Sequence, residues 1–224
     1  MAIDFEAIKR KLARLNGTNT NRNVQWKPVV DETTFVRLIS FPDNDGQPFK
    51  ELQFYYNIPG QRGLLAPSQF GKRDPIQELI NKLRDEGTKE SYEMAKKLYP
   101  KMRIYAACVV RGEEDKGVQI WGFGKTVYQK LLGLMLDEDY GDITDPGEGT
   151  DLVLSYGKAP GMMYPQTKVQ PRRKSSPLCE DGDEACQEIV ATVPDLDTLF
   201  ERKSTEDVQG ILDEFLNSNV DAEE

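Results

Sequence analysis

The sequence predicts an α+β chain, mainly β with helices inserted between the strands. Three observations lead there. Five short stretches carry strand-like alternation or runs of β-branched and aromatic residues, each bounded by turn residues. Two helical segments, the first capped at Asp74, fall between the second and third of them. Two acidic amphipathic segments close the chain.

In chain order, Phe5 to Leu15 comes first. Phe5, Ile8, Leu12 and Leu15 recur at helical spacing, with Lys9, Arg10, Lys11 and Arg14 on the other face. Asp4 suits the N-cap and Asn16-Gly17 the stop. Such a basic arm suits docking on a neighbour, a membrane surface or nucleic acid, and equally a solvated helix lying on its own domain. "TFVRLISF" alternates, with Phe35, Arg37, Ile39 and Phe41 on one face. "DNDGQP" is turn chemistry, and "KELQFYYNI" is the second strand. Asp74-Pro75-Ile76-Gln77 places a cap, a proline at the first helical position and a Gln at the third before "ELINKLRDEG". "TKESYEMAKKLYP" is the next helix. "MRIYAACVV" and "GVQIWGF" form a hairpin across "RGEEDKG". The helix "TVYQKLLGLM" follows, then the strand "TDLVLSYG". "MMYPQTKVQPRRKSSP" is proline-rich and basic and reads as a loop or strap. The closing helices sit around "DLDTLFER" and "TEDVQGILDEFL". Five short strands with helical insertions suit a small, partly open barrel or a compact α+β body.

Composition removes several classes of function. There is no histidine, which excludes Ser-His-Asp and Cys-His catalysis and histidine-ligated zinc. There is no Cys-x-x-Cys pair. Cys179 and Cys186 have six residues between them in an acidic stretch, and with no secretory signal the expectation is free thiols in a reducing compartment. No apolar run is long enough to span a membrane. "GFGKT" suggests a phosphate-binding loop, but the glycine that loop needs falls at Gln119. "DEDYGDITD" (Asp137 to Asp145) has carboxylates for a cation but not the calcium-loop register, so it reads as a solvated acidic loop.

The net charge of −9 is unevenly spread. From Cys179 onward fifteen acids face only Arg202 and Lys203, a net −13, which leaves +4 on residues 1–178. A modestly basic body thus precedes an acidic C-terminal part. In that body, cations interleave with aromatics in three runs. The first is Tyr92, Lys96, Lys97, Tyr99, Lys101, Arg103 and Tyr105; the second is Trp121, Phe123, Lys125 and Tyr128; the third is Tyr164, Lys168, Arg172, Arg173 and Lys174. Single-stranded nucleic acid needs this pairing, cations for phosphates and flat rings for unpaired bases. The competing reading is that half of these rings are core. In "VQIWGF", Val118 and Ile120 read as the core face, which turns Trp121 outward with Gln119.

Three segments, "WKPVVDETTFVRLISFPDNDGQPF", "YAACVVRGEEDKGVQIWGFGKTVYQKLLGLM" and "EGTDLVLSYGKAPG", with the short "LARLNG", resemble the helix-destabilising single-stranded DNA-binding proteins of T-even-type bacteriophages. The resemblance covers most of residues 1–178 in order. It implies an OB-fold core, a five-stranded barrel with a helical insertion at about residues 68–100 and C-terminal helices. It implies a non-enzymatic protein without cofactor that coats single-stranded DNA, with little sequence preference and cooperatively, in phage replication, recombination and repair. The partners implied are single-stranded DNA, further copies along the lattice and phage replication and recombination proteins, in the cytoplasm of the infected bacterial host. Residues 1–22 would be the self-association arm, 23–178 the binding core and 179–224 an acidic C-terminal segment. Carried across, Trp121 and Tyr164 take stacking positions, and Tyr92 with Lys96-Lys97 falls in the basic helical segment ahead of "MRIYAACVV".

The departures are specific. Where relatives hold zinc with one His and three Cys, "NIPGQRGLLAPSQFGKRDPIQELINKLRDEG" has neither residue. The resemblance therefore implies a zinc-less member, with Ile76, Leu79, Ile80 and Leu83 packing in the metal's place. The family's N-terminal motif, a basic triplet followed by two Ser/Thr, is broken at Lys9-Arg10-Lys11-Leu12-Ala13 and stands instead at Arg172-Arg173-Lys174-Ser175-Ser176. Two other classes fit the same residues. An RNA-binding OB protein would prefer oligo-U to oligo-dT. A protein–protein adaptor would use the acidic C-terminal helices, with cations and rings scattered rather than gathered in one groove.

Overall fold

The computed structural model describes residues 24–45, 47–179 and 182–220. The arm with Lys9, Arg10, Lys11 and Arg14 lies outside them. The chain is mixed α and β, as expected, with mainly antiparallel strands. The strands are β1 (Gln25–Trp26), β2 (Glu32–Ile39), β3 (Lys50–Tyr55), β4 (Leu64–Leu65), β5 (Lys101–Val110), β6 (Gln119–Phe123), β7 (Leu152–Gly157) and β8 (Gln166–Pro171). The helices are α1 (Pro75–Glu86), α2 (Lys89–Leu98), α3 (Lys125–Met135), α4 (Asp183–Ala191) and α5 (Thr205–Val220). All five expected strands are present, and β1, β4 and β8 are additional.

Two compact units divide the chain. The first takes the described residues up to Phe49, Ala106–Gly122 and Thr126–Leu199. Its strands follow the order β1-β6-β5-β2-β7-β8. β2 runs antiparallel to β7 with Phe35 opposite Val153, and β7 antiparallel to β8 with Ser155 opposite Lys168. β8 corrects the reading of "QTKVQP" as strap. Its exposed Gln166, Lys168 and Gln170 alternate with the half-buried Thr167 and the buried Val169. It lies at the end of the strand order, where a terminal proline removes no ladder bond that a further strand would need.

The second unit takes Lys50–Tyr105, Phe123–Lys125 and Phe200 onward. β3 pairs antiparallel with the first half of β5 and with β4. α1 forms as its cap predicts, the Asp74 carboxylate accepting from the Gln77 amide, and α2 is capped by the Thr88 hydroxyl, which accepts from the Ser91 amide. Ile76, Ile80 and Leu83 are buried together with Ala95, Leu98, Val208 and Leu212, and Leu79 packs against them. The C-terminal helix α5 therefore contributes to a core, through Val208 and Leu212 one turn apart.

The C-terminal segment also differs in detail. "DLDTLFER" holds only a single 3-10 turn, Leu196–Thr198, while α4 forms in the stretch read as an acidic loop. Cys179 and Cys186 are disulfide-bonded, which corrects the expectation of free thiols. The cause is local: the helical turn entering α4 brings their Cα atoms to 5.6 Å.

Candidate nucleic-acid interface

β2 and β8 leave Thr33, Phe35, Lys168 and Gln170 exposed. Paired residues of neighbouring strands share a face, so Thr33, Ser155 and Lys168 form one row and Phe35, Val153 and Gln170 the next. The Thr33 and Ser155 hydroxyls lie 3.4 Å apart, consistent with that row. Phe35 is 39 % exposed, large for a ring in the middle of a strand. The Arg172 guanidinium stands over it, 5.2 Å from the ring centroid.

A buried carboxylate holds this arrangement. Asp151 meets Arg111 at 3.0 Å, Arg172 at 3.7 Å and Arg37 at 3.9 Å. Arg37 is fully buried and donates to the Asp145 carbonyl. Arg111 also donates to the carbonyls of Pro177 and Leu178, both at 2.8 Å, which fastens the chain that follows β8. Burial lowers the pKa of Arg37, and the nearby carboxylate of Asp151 opposes that shift. Gly149 is required here: a Cβ would stand 2.6 Å from both Arg37 Nη2 and the Asp145 carbonyl.

The residues singled out from sequence divide between the units. In the first, Tyr164 is 72 % exposed in the turn between β7 and β8. Lys168 is exposed on β8, and Arg172, Arg173 and Lys174 are exposed just beyond it. Trp121 is a correction. It is 1 % exposed and packs edge-on against Trp26, ring centroids 6.1 Å apart. Gln119, Ile120 and Phe123 are buried as well, so β6 is covered on both faces and has no outward side. In the second unit, Tyr92 is 52 % exposed on α2, one turn from Lys96, which pairs with Glu93 at 4.0 Å. Lys97, Lys101 and Lys125 are exposed, and Tyr99 and Arg103 half-buried. Tyr105 is the second correction. It is buried against Phe54 and Phe200, and desolvation raises its hydroxyl pKa.

Phe35 and the Asp151 hub were missed. The alternation in β2 sets Phe35 on one face with Arg37 and Ile39, but the chain covers that face from Arg37 onward and leaves it open at Phe35. The recoverable signal was the alternation in "QTKVQP", which makes β8 a strand and sets Lys168 in line with β2.

Two features are chemically quiet. Burial pushes the Cys108 thiol up to about 12. In "DEDYGDITD", carboxylates accept from nearby amides instead: Asp142 from Thr144, and Asp145 from Gly147 and Glu148. Among the described residues, no group of three His, Cys, Asp or Glu is placed to hold a metal ion. None of their helices is long and apolar enough to cross a membrane.

No protein-family model matches the chain, and no curated protein matches it.

Proposed function

We propose that this chain binds and coats single-stranded DNA without strong sequence preference, as a zinc-less relative of the T-even-type phage proteins with an OB-fold core. One observation carries the reading. Residues 152–178, which run through β7, the turn, β8 and the chain beyond it, hold five cations and no acid, in a molecule of net charge −9. A segment this free of carboxylates attracts a polyanion even though the whole protein would repel one.

The side chains of that segment support the same ligand. Lys158, Lys168, Arg172, Arg173 and Lys174 offer charges to phosphates, and Tyr164 and Phe35 offer rings to bases. Ring faces and phosphates do not distinguish bases, so binding is sequence-tolerant. In the second unit, Tyr92, Lys96, Lys97, Tyr99, Lys101, Arg103 and Lys125 supply further charges and rings. Cooperative coating, through the N-terminal arm or the Arg172–Ser176 motif, and a role in phage replication, recombination and repair in the host cytoplasm belong to the same proposal.

The test is fluorescence anisotropy of end-labelled oligo-dT across a salt series, with oligo-U as competitor. Affinity should fall linearly on a log–log plot against salt, because bound cations release counterions. Lys168→Ala with Arg173→Ala, both exposed, should weaken binding and reduce the salt slope by about 1 to 2. Binding that ignores salt would refute the proposal. Stronger competition by oligo-U would move it to RNA.

A further inference from the structure

The turn between β7 and β8 presents Met162, Met163 and Tyr164 side by side, all exposed, with Met163 at 77 %. The turn is shaped by several constraints. Gly157 pairs with Gln166 at its root, and the Met162 amide donates to the Ala159 carbonyl at 3.0 Å. Gly161 takes a φ of +80°, and the Gln166 side-chain amide donates to the Met162 sulfur at 3.7 Å. Pro160 and Pro165 stand within the turn, and each fixes its own φ. Three consecutive large side chains with apolar surface open to water form one small patch, suited to contact with a partner.

Charge selects the partner. Lys158 and Lys168 flank the turn, and the segment holding it has no acid. The carboxylate of Asp31 lies beside Gly157, at the root rather than the tip. The partner is thus an anion with a flat apolar surface, since thioethers favour aromatic contacts. A duplex end offers both, a terminal base pair framed by phosphates. A lone strand offers its bases singly, and the rings of Phe35 and Tyr164 already serve those.

We propose that Met162 and Met163 stack on the terminal base pair where a single strand meets a duplex, so that the protein loads preferentially at such junctions. This rests on the single-strand reading above and adds a second contact to it. The experiment compares three labelled probes at one salt concentration: an oligo-dT tail, the same tail joined to a stem-loop, and the stem-loop alone. The wild-type chain should bind the junction about tenfold more tightly than the tail. Met162→Ser with Met163→Ser should abolish that advantage and leave affinity for the tail within about twofold. Both side chains are exposed, and a thermal melt checks that the variant folds. Equal wild-type affinity for tail and junction overturns the inference and leaves the single-strand reading standing. So does a variant that keeps the advantage, or one that loses the tail and the junction together. A wild-type chain that binds none of the probes ends both proposals.

Discussion

Trp121 and Trp26 meet edge to face inside the first unit, and that contact decides what Trp121 does. Truncating so large a buried ring removes its transfer free energy and leaves a cavity. Trp121→Ala should therefore cost about 3–5 kcal/mol in urea denaturation. A variant as stable as the wild type would return the ring to the surface and to a stacking role. Asp151 is a second decisive residue, because it gathers Arg37, Arg111 and Arg172 from three distant parts of the chain. No local pattern links positions 37, 111, 151 and 172, so the hub was invisible before the fold. Trp121 was misread for a related reason. Alternation tells inside from outside only where one face of a strand meets water, and both faces of β6 are covered.

At the scale of elements, α1 is the clearest case of local chemistry that survives folding. Its cap Asp74 accepts from the Gln77 amide, from the Ser68 amide and hydroxyl, and from the Tyr55 hydroxyl at 2.9 Å. Asp74→Ala removes the cap and leaves a buried phenol without an acceptor, so it should cost about 2–4 kcal/mol. Tyr55→Phe should cost about 1 kcal/mol, because it removes donor and desolvation together. Chemical denaturation of both variants checks the order; a harmless Asp74→Ala would mean that the cap is idle. β8 shows the opposite case. The proline-rich composition around it reads as a loop and its short alternation as a strand, and pairing with β7 decides between them.

At the scale of the molecule, acid sensitivity follows from several carboxylates at once. Backbone amides of Glu148 and Gly147 lower the pKa of Asp145, the Ser204 hydroxyl lowers that of Asp207, Arg73 lowers that of Glu78, and the Gly112 amide lowers that of Glu114. A depressed folded-state pKa gives stability that is present above the unfolded value of about 4 and is lost as pH falls through the folded value. The urea midpoint should hold from pH 7 to about pH 5 and drop below about pH 4. Asp145→Asn should lower the midpoint at neutral pH and make the acid fall shallower. An unchanged profile would remove Asp145 from the account.

Local sequence was enough for the start of α1 at its Asp74 cap, the hairpin of β5 and β6, the α+β class and the separation of a basic body from an acidic end. Each of these depends on neighbours within a few residues, through caps, turn residues and apolar periodicity. The packing of Ile76, Ile80 and Leu83 into one core was legible for the same reason: their spacing places them on one face of α1. Tertiary structure alone decided which rings reach water. Trp121 and Tyr105 are buried, Tyr92 and Tyr164 are exposed, and Phe35 emerges beneath Arg172. A side chain's exposure depends on what distant parts of the chain lay over it: Trp26 over Trp121, and Phe54 with Phe200 over Tyr105.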